Sequence, residues 1–293
     1  MGYRAPMGAV LRKPNGTYTS YLPTADTDAA RGTAILAAQT AAVAGDLIEV
    51  HSDASFTGTT SLGKNGVDWW IAPGVTLTHA GAAVWATPTT PTSYDVGGYG
   101  RFVCTLDGTA VMTITTAGSE VHMVARSLVS TGATSVGVSK TLGTLWLTAD
   151  LVSCVGYDAL IVGSTTATDV DYVDVQRVVS SATGADADSN GLECAGAGTV
   201  YARLGSVASF GDCINIGGAG TLYLEAQSIT STDNDAVSMA GTGTVHVRSG
   251  VLSSHASFKD LVRTTGTLKV YPNVGYTATK TTGTITTVPA FGL

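Results

Sequence analysis

Acidic side chains recur at one position of a repeated pattern. Their regular spacing makes them candidates for a catalytic pair of carboxylates. Each precedes a pair of apolar residues separated by one other residue; the members, called the acidic row, are Asp158, Asn190, Asp212, Asp235 and Asp260. Successive members on neighbouring strands would lie about 5 Å apart, which is the carboxylate separation of a retaining glycosidase. If the chain is an enzyme, its candidate catalytic residues are Glu193, Asp212 and Asp235.

The acidic row also has a structural interpretation. Aspartate and asparagine commonly accept a backbone hydrogen bond where a loop enters a strand. A catalytic pair is needed once, whereas Asp or Asn fills this position in five repeats. The repetition favours a turn, and we predict no catalytic residue.

A second repeated position carries rings. It is the residue between two apolar residues of one strand, so its side chain points outward. Its ring-bearing members, called the aromatic row, are His122, Trp146, Tyr201, Tyr223 and His246. An alignment on the apolar pairs places Asp174 and Lys269 at the same position in two other repeats. The row predicts one flank of the molecule lined with aromatic and imidazole rings.

Three interpretations of the aromatic row stay open. A subunit interface is favoured, because aromatic residues are enriched where protein surfaces desolvate each other. The second is glycan binding, with the rings as a platform on which sugars stack. The third is a face that is only packed or covered by a loop. Rings make up only 7% of the chain as Phe, Trp and Tyr, so their alignment points to a role for this flank.

One repeat is longer than the others and carries two acidic loops. Leu160 and Leu192 are 32 residues apart, and the added loops contain Asp169, Asp171, Asp186 and Asp188. Loops that leave a solenoid often form its binding face, so these aspartates are the best candidates for a metal or glycan site. The two loops leave from different corners, however, and a solvated acidic loop is favoured. We therefore predict no metal and no cofactor.

Composition excludes several functions. The chain has 22 acidic and 15 basic residues, a net charge of -7 and no run of Lys or Arg, which argues against nucleic-acid binding. No stretch of eighteen apolar residues is present, so no membrane insertion is predicted. Four cysteines without C-x-x-C spacing indicate reduced core thiols in a protein made in a cytoplasm. No G-x-S-x-G or H-E-x-x-H motif occurs.

The elements that position both rows form a repeat of 22 to 28 residues between residues 110 and 275. Each unit contains three short apolar alternations, and Gly-Thr opens many units, as in GTLWL, GTVYA and GTLYL. Strands this short are not stable alone. Stacking successive units pairs every strand with its counterpart and buries one continuous apolar column. The sequence thus predicts an all-β chain that forms a single-stranded parallel β-solenoid with three sheets.

The ends of such a solenoid must be covered, since an open coil exposes unpaired backbone. An alanine-rich segment at residues 25–45 predicts a capping helix, with Thr27 or Asp28 as N-cap and Gly45 as its stop. The solenoid would occupy residues 46–275. Residues 276–293 form a strand-like tail, and residues 1–24 are basic and could attach the chain to a larger assembly.

A helix followed by AGDLIEV and FTGTTSLGKNGVDWWIAPGVTLTHAG, and then by irregular coils, resembles the pectate-lyase-like right-handed parallel β-helix of bacteriophage tailspike and fibre proteins. The resemblance covers residues 24–275 and implies a homotrimer on the virion surface that contacts the host envelope. We expect a non-enzymatic virion structural protein, which is a trimeric β-helical spike, fibre or surface decoration of the particle. It would contact host-surface polysaccharide and join other virion proteins through residues 1–24. The alternative is a tailspike depolymerase that cleaves the glycan.

Overall fold

The chain forms a right-handed parallel β-helix, as the sequence predicts. The computed structural model describes residues 8–87, 89–181, 189–271, 281–282 and 284–287. Within these residues the strands stack in about nine coils, and a helix lies near the N-terminus. Nearly every strand pairs in parallel with its counterpart in the next coil, so backbone hydrogen bonds run along the length of the solenoid.

The N-terminal part contains the helix and the first coils. Its elements are β1 (Ala9–Arg12), β2 (Tyr18–Tyr21), α1 (Asp28–Ala41), β3 (Leu47–Val50), β4 (Ala54–Phe56), β5 (Asp68–Ile71), β6 (Thr76–His79), β7 (Trp85–Ala86), β8 (Ser93–Gly97) and β9 (Arg101–Cys104). Strands β3, β5 and β8 stack on one face, and β4, β6 and β9 stack on a second. Strand β7 begins the third face.

Short and long strands alternate through the rest of the solenoid. They are β10 (Met112–Ile114), β11 (Glu120–Ser130), β12 (Val138–Lys140), β13 (Thr144–Cys154), β14 (Leu160–Val162), β15 (Val170–Ser180), β16 (Leu192–Cys194), β17 (Thr199–Ser209), β18 (Ile214–Ile216), β19 (Thr221–Ser231), β20 (Val237–Met239), β21 (Thr244–Ser253), β22 (Leu261–Arg263), β23 (Thr267–Val270), β24 (Thr281–Thr282) and β25 (Ile285–Thr287). The stacking in both sheets therefore continues past residue 275.

Each long strand covers two faces of the solenoid. Strand β11 pairs with β8 through its first half and with β9 through its second half. The register between β11 and β13 omits one position in the middle, at Arg126 and Asp150, where the strands turn from one face to the next. Two of the three strands predicted for each coil are thus fused, and the short strands form the third face as a separate nine-stranded sheet.

Over the described residues, the interior column is apolar in most coils but contains one ion pair, between Lys140 and Asp171. Inward side chains such as Leu145 and Leu222 are buried. Between the coils, the ammonium of Lys140 lies 2.8 Å from the carboxylate of Asp171, and the two side chains are 0% and 1% exposed. The Asp171 carboxylate also accepts the backbone N–H groups of Leu145 and Gly163. The charge is therefore paired and hydrogen-bonded, as burial requires.

This ion pair displaces two strands from the register that apolar residues alone predict. The apolar pattern aligns Val136 with Met112, but Met112 pairs with Val138, which turns Lys140 inward. In β15 the pattern aligns Val173 with Leu145, but Val173 pairs with Leu147, which turns Asp171 inward. Both wrong registers have one cause. The apolar pattern assigns only apolar residues to inward positions, so it places Lys140 and Asp171 outside.

The helix α1 covers the first coil. The Thr27 hydroxyl accepts the N–H of Ala30 at 3.2 Å and caps the helix where predicted. Ile35 and Ala38 are buried against the solenoid. At Gly32 a Cβ would lie 2.1 Å from a backbone oxygen of β4, so only glycine permits this close approach.

A hairpin that the sequence analysis did not predict covers the first sheet edge. Strands β1 and β2 are antiparallel, and β1 pairs antiparallel with β3. Arg12 contacts Glu49, and Lys13 contacts Asp46, at 2.5 and 2.6 Å. The hairpin supplies the missing partner strand for the first coil. Attachment to other proteins through residues 1–24 stays a prediction.

Two further features concern membrane-spanning helices and the state of the cysteines. Among the described residues, no helix has the length and apolarity needed to cross a membrane. The four cysteines are buried and form no disulfide bond. Burial raises the pKa of the Cys154 and Cys213 thiols to about 12, so these side chains are unreactive core residues.

Candidate functional site

The aromatic row is continuous along the first half of the long strands. In register, one coil apart, it runs His122, Trp146, Tyr172, Tyr201, Tyr223 and His246. Tyr172 therefore occupies the place predicted for Asp174, and that prediction is wrong because the inward Asp171 shifts the strand by two residues. With Tyr172 in place of Asp174, every position from His122 to His246 carries a ring.

The rings of the row stack on one another. Ring centroids are 3.9 Å apart for Trp146 and Tyr172, 5.2 Å for Tyr172 and Tyr201, 4.9 Å for Tyr201 and Tyr223, and 4.6 Å for Tyr223 and His246, with interplanar angles of 7° to 22°. This is offset stacking at the coil spacing. Each ring covers part of its neighbour's face and leaves its outer edge accessible. The four central rings are still 37% to 42% exposed.

A second outward row faces the aromatic row across a groove. It runs along the axis as Val124, Thr148, Asp174, Arg203, Glu225 and Arg248. The two rows and the backbone between them enclose a volume of about 570 Å³. This volume is typical of ligand sites in proteins. One wall of the groove is thus aromatic, and the other is mainly polar and charged.

The ends of the groove differ in charge. At the N-terminal end, His122 lies 3.4 Å from Asp95 and 3.0 Å from Glu120. At the other end, His246 contacts the Tyr271 hydroxyl at 3.2 Å, and the Arg248 guanidinium lies over the Tyr271 ring. Burial, and then the charge of Lys269, lower the pKa of His246. His246 is therefore a neutral hydrogen-bonding group at neutral pH.

The groove offers polar atoms that are not already bonded. In the described part of the chain, no hydrogen bond or ion pair engages the hydroxyls of Tyr172, Tyr201 and Tyr223, the carboxylates of Asp174 and Glu225, or the guanidinium of Arg203. Tyrosine hydroxyls donate and accept, carboxylates accept, and guanidinium groups donate. The groove can thus bind a ligand that has both apolar faces and many hydroxyl groups.

The acidic row lies elsewhere, at the entry to the short strands, and its carboxylates bond to the backbone. Asp158 accepts the N–H of Asn190 at 2.6 Å, Asp212 that of Asp235 at 3.1 Å, and Asp235 that of Lys259 at 2.7 Å. Each acid thus ties its coil to the next.

The last predicted member of the row is misplaced. Because Leu261 pairs with Val237, the position after Asp235 is Lys259 and not Asp260. Asp260 instead accepts hydrogen bonds from the backbone N–H and the hydroxyl of Ser254.

Several acids of the row hold protons unusually well. Burial, followed by the adjacent Glu193 carboxyl, raises the pKa of Asp158 to about 8. Burial and the charge of Asp235 raise the pKa of Asp212 to about 6. The candidates Glu193, Asp212 and Asp235 thus lie on successive coils of one edge, but none of them lines the groove. Their catalytic role stays a prediction that no contact with the groove supports.

The predicted acidic loops do not assemble a metal site in the described residues. Asp171 is interior, contrary to the expectation that it lies on the surface. Asp169 accepts a hydrogen bond from the Ser164 hydroxyl, and Asp186 and Asp188 lie outside the described residues. No group of three or more His, Cys, Asp or Glu side chains suited to a metal ion occurs in the described part of the chain.

Comparisons with known proteins add no relative: no protein-family model, no curated protein and no solved structure matches this chain. The assignment of the architecture therefore rests on the strand register.

Several groove residues were missed from the sequence. Tyr172 directly precedes Val173 and could have been found by aligning rings instead of apolar pairs. Arg203, Glu225 and Arg248 occupy the next outward position after each ring. Period-two alternation identifies them as outward, but only the shape of the surface places them in the groove.

Proposed function

We propose that this protein is a non-enzymatic spike or fibre component of a bacteriophage particle, and that it binds an extended host-surface glycan along the aromatic row. The continuous groove between stacked rings and charged side chains carries this proposal. The homotrimer and the virion location belong to the same proposal, and both rest on the resemblance of the sequence. A parallel β-helix is compatible with such proteins.

The chemistry of the groove fits a polysaccharide better than a peptide. A peptide that adds to a sheet needs an unpaired strand edge, and the strands at this surface have partners on both sides. Sugar rings have apolar C–H faces and a rim of hydroxyls. The ring edges can contact the faces, and the unbonded tyrosine hydroxyls, Asp174 and Glu225 can contact the rim.

Repetition along the axis favours a polymer. Equivalent rings recur about every 4.8 Å, the spacing of paired strands, so an extended chain of similar sugars meets a similar contact in each coil. Because neighbouring rings cover parts of each other's faces, the sugars would lie across the outer ring edges. Contacts of this kind are individually weak and add up over the length of a polymer.

The test is a binding assay of the full chain against a panel of bacterial capsules and lipopolysaccharides. We expect Trp146→Ala and Tyr201→Ala each to lower the affinity for the bound glycan about tenfold, a loss of about 1.4 kcal/mol. Tyr18→Ala is the matched control, because Tyr18 is an exposed ring on the N-terminal hairpin. Binding by Trp146→Ala equal to that of the unaltered chain, or no binding to any member of the panel, would contradict the proposal.

The same variants separate a glycan site from a subunit interface. Native mass spectrometry of the unaltered chain and of Trp146→Ala gives their oligomeric states. A glycan site predicts the same oligomer for both. Dissociation of the variant, with no glycan bound by the unaltered chain, would assign the aromatic row to an interface.

Polysaccharide cleavage is a second candidate because the groove holds two carboxylates. Asp174 and Glu225 lie two coils apart on the same wall. Two strand spacings give about 9.6 Å, close to the carboxyl separation of inverting glycosidases. New reducing ends in the bound glycan, abolished by Asp174→Asn and by Glu225→Gln, would establish cleavage. Intact glycan after prolonged incubation would leave binding alone.

A further inference from the structure

Charge alternates along the polar wall of the groove. On four successive coils the wall presents Asp174, Arg203, Glu225 and Arg248, so negative and positive side chains follow each other. Each residue pairs in strict register with the next, which places them at the regular coil spacing. The sign of the charge therefore repeats every second coil.

These four side chains are not used in ion pairs by the rest of the described structure. No cation and carboxylate among them approach within the 4.0 Å of a salt bridge, and Arg203, Glu225 and Arg248 are exposed. Arg248 also lies over the Tyr271 ring, 5.5 Å from its centroid. Their charged groups are thus available to a ligand in the groove.

We propose that the groove selects an acidic polysaccharide that carries one carboxylate on every second sugar. This inference rests on the proposed glycan binding and specifies its ligand. An extended β-linked chain of hexoses advances by a distance close to one coil per sugar. A carboxylate on alternate sugars therefore meets Arg203 and then Arg248, and the neutral sugar between them meets Glu225.

The wall discriminates against the two other charge patterns. A polymer with a carboxylate on every sugar brings a negative charge against Glu225 or Asp174, and like charges across an interface select against a partner. A neutral polymer gains no charge-assisted hydrogen bond from either arginine, although guanidinium groups bind carboxylates in two-pronged geometry. Only the alternating pattern uses both arginines without opposing an acid.

The experiment compares three β-linked probes of equal sugar number: hyaluronan fragments with alternate carboxylates, polymannuronate fragments with a carboxylate on each sugar, and neutral cello-oligosaccharides. We expect hyaluronan fragments to bind at least about tenfold more tightly than either of the others. Their affinity should fall as salt is raised, because exposed charges are screened.

Variants of the wall test the assignment of residues. Arg203→Ala and Arg248→Ala should each weaken hyaluronan binding about tenfold. Glu225→Gln should strengthen polymannuronate binding selectively, since it removes the opposing charge. Arg177→Ala is the matched control, because Arg177 is an exposed arginine of β15 that does not line the groove.

The outcomes separate this inference from the function on which it rests. Equal binding of all three probes that still depends on Trp146, or no effect of Arg203→Ala, would overturn charge selection and keep glycan binding. If none of the three probes binds, charge selection as stated is overturned, and glycan binding is decided by the panel of bacterial polysaccharides.

Discussion

The acidic row and the aromatic row are two repeats of similar regularity on different faces of one solenoid. In the acidic row, Asp158, Asp212 and Asp235 each accept a backbone N–H of the next coil. In the aromatic row, the hydroxyls of the stacked tyrosines bond to nothing in the described residues, and the rings remain more than a third exposed. The polar atoms of the acidic row are therefore engaged within the protein, whereas those of the aromatic row are available to a ligand.

This difference distinguishes repeated residues that stabilise the fold from repeated residues that can bind a ligand. A polar group that already has its partners can be removed only at the expense of stability. A polar group without a partner, on an exposed surface, contributes little to stability and is available for binding. The distinction predicts which substitutions will lower the free energy of unfolding and which will lower affinity.

The largest effect on stability is expected at the interior ion pair, where every polar atom of Asp171 is engaged. Asp171→Ala leaves the Lys140 ammonium buried without its partner, so we expect the free energy of unfolding to fall by about 3–5 kcal/mol. Urea unfolding measures this loss. The double variant Lys140→Met with Asp171→Leu removes both charges and should recover most of it. A single variant as stable as the unaltered chain would show that the pair is not charged in the folded protein.

A smaller effect is expected from pH, through Asp158. Its pKa is raised to about 8 in the folded chain, whereas an unfolded aspartate titrates near 3.9. The folded state therefore binds more protons between these values, and stability is lost as pH rises through the folded pKa. We expect Asp158 to lower the free energy of unfolding by about 1 kcal/mol between about pH 7 and about pH 9.

Paired variants assign that pH dependence. Asp158→Asn keeps an acceptor for the Asn190 N–H and removes this titration, so the fall in stability should become smaller. It should not vanish, because the buried Cys154 and Cys213 thiols also keep their protons to higher pH than unfolded thiols do. Asp233→Asn, at an exposed aspartate of the same face, should leave the slope unchanged. A rise in stability toward about pH 9 would contradict the sign of the Asp158 shift.

The smallest effect is expected at Asp235. Asp235→Ala leaves the Lys259 N–H without its acceptor, and we expect a loss of about 1 kcal/mol in the free energy of unfolding. Asp235→Asn retains the acceptor oxygen and should lose less. Neither variant should change glycan affinity, as measured in the same assay as Trp146→Ala. Loss of binding in Asp235→Asn, with stability retained, would give this residue the functional role that its hydrogen bond argues against.

Much of the fold could be predicted because it depends on local alternation. Apolar residues at every second position, repeated at 22 to 28 residues, indicate the stacked coils, and the helix that begins at Asp28 has its N-cap at the predicted Thr27. The N-terminal hairpin was missed because β1 and β2 are short and lie outside the repeat. The fusion of two predicted strands into one long strand was missed. A continuous strand that bends between two faces has the same apolar pattern as two separate strands.

The sequence by itself determined the parallel solenoid, the outward direction of the rings at Trp146, Tyr201 and Tyr223, and the turn role favoured for Asp235. These follow from the period of two in a strand and from repetition between coils. Only the tertiary structure decided that Lys140 and Asp171 lie inside, that Tyr172 completes the aromatic row, and that a charged wall faces it. The reason is physical: an ion pair between residues on different strands, and a groove between two rows, exist only once the coils are stacked.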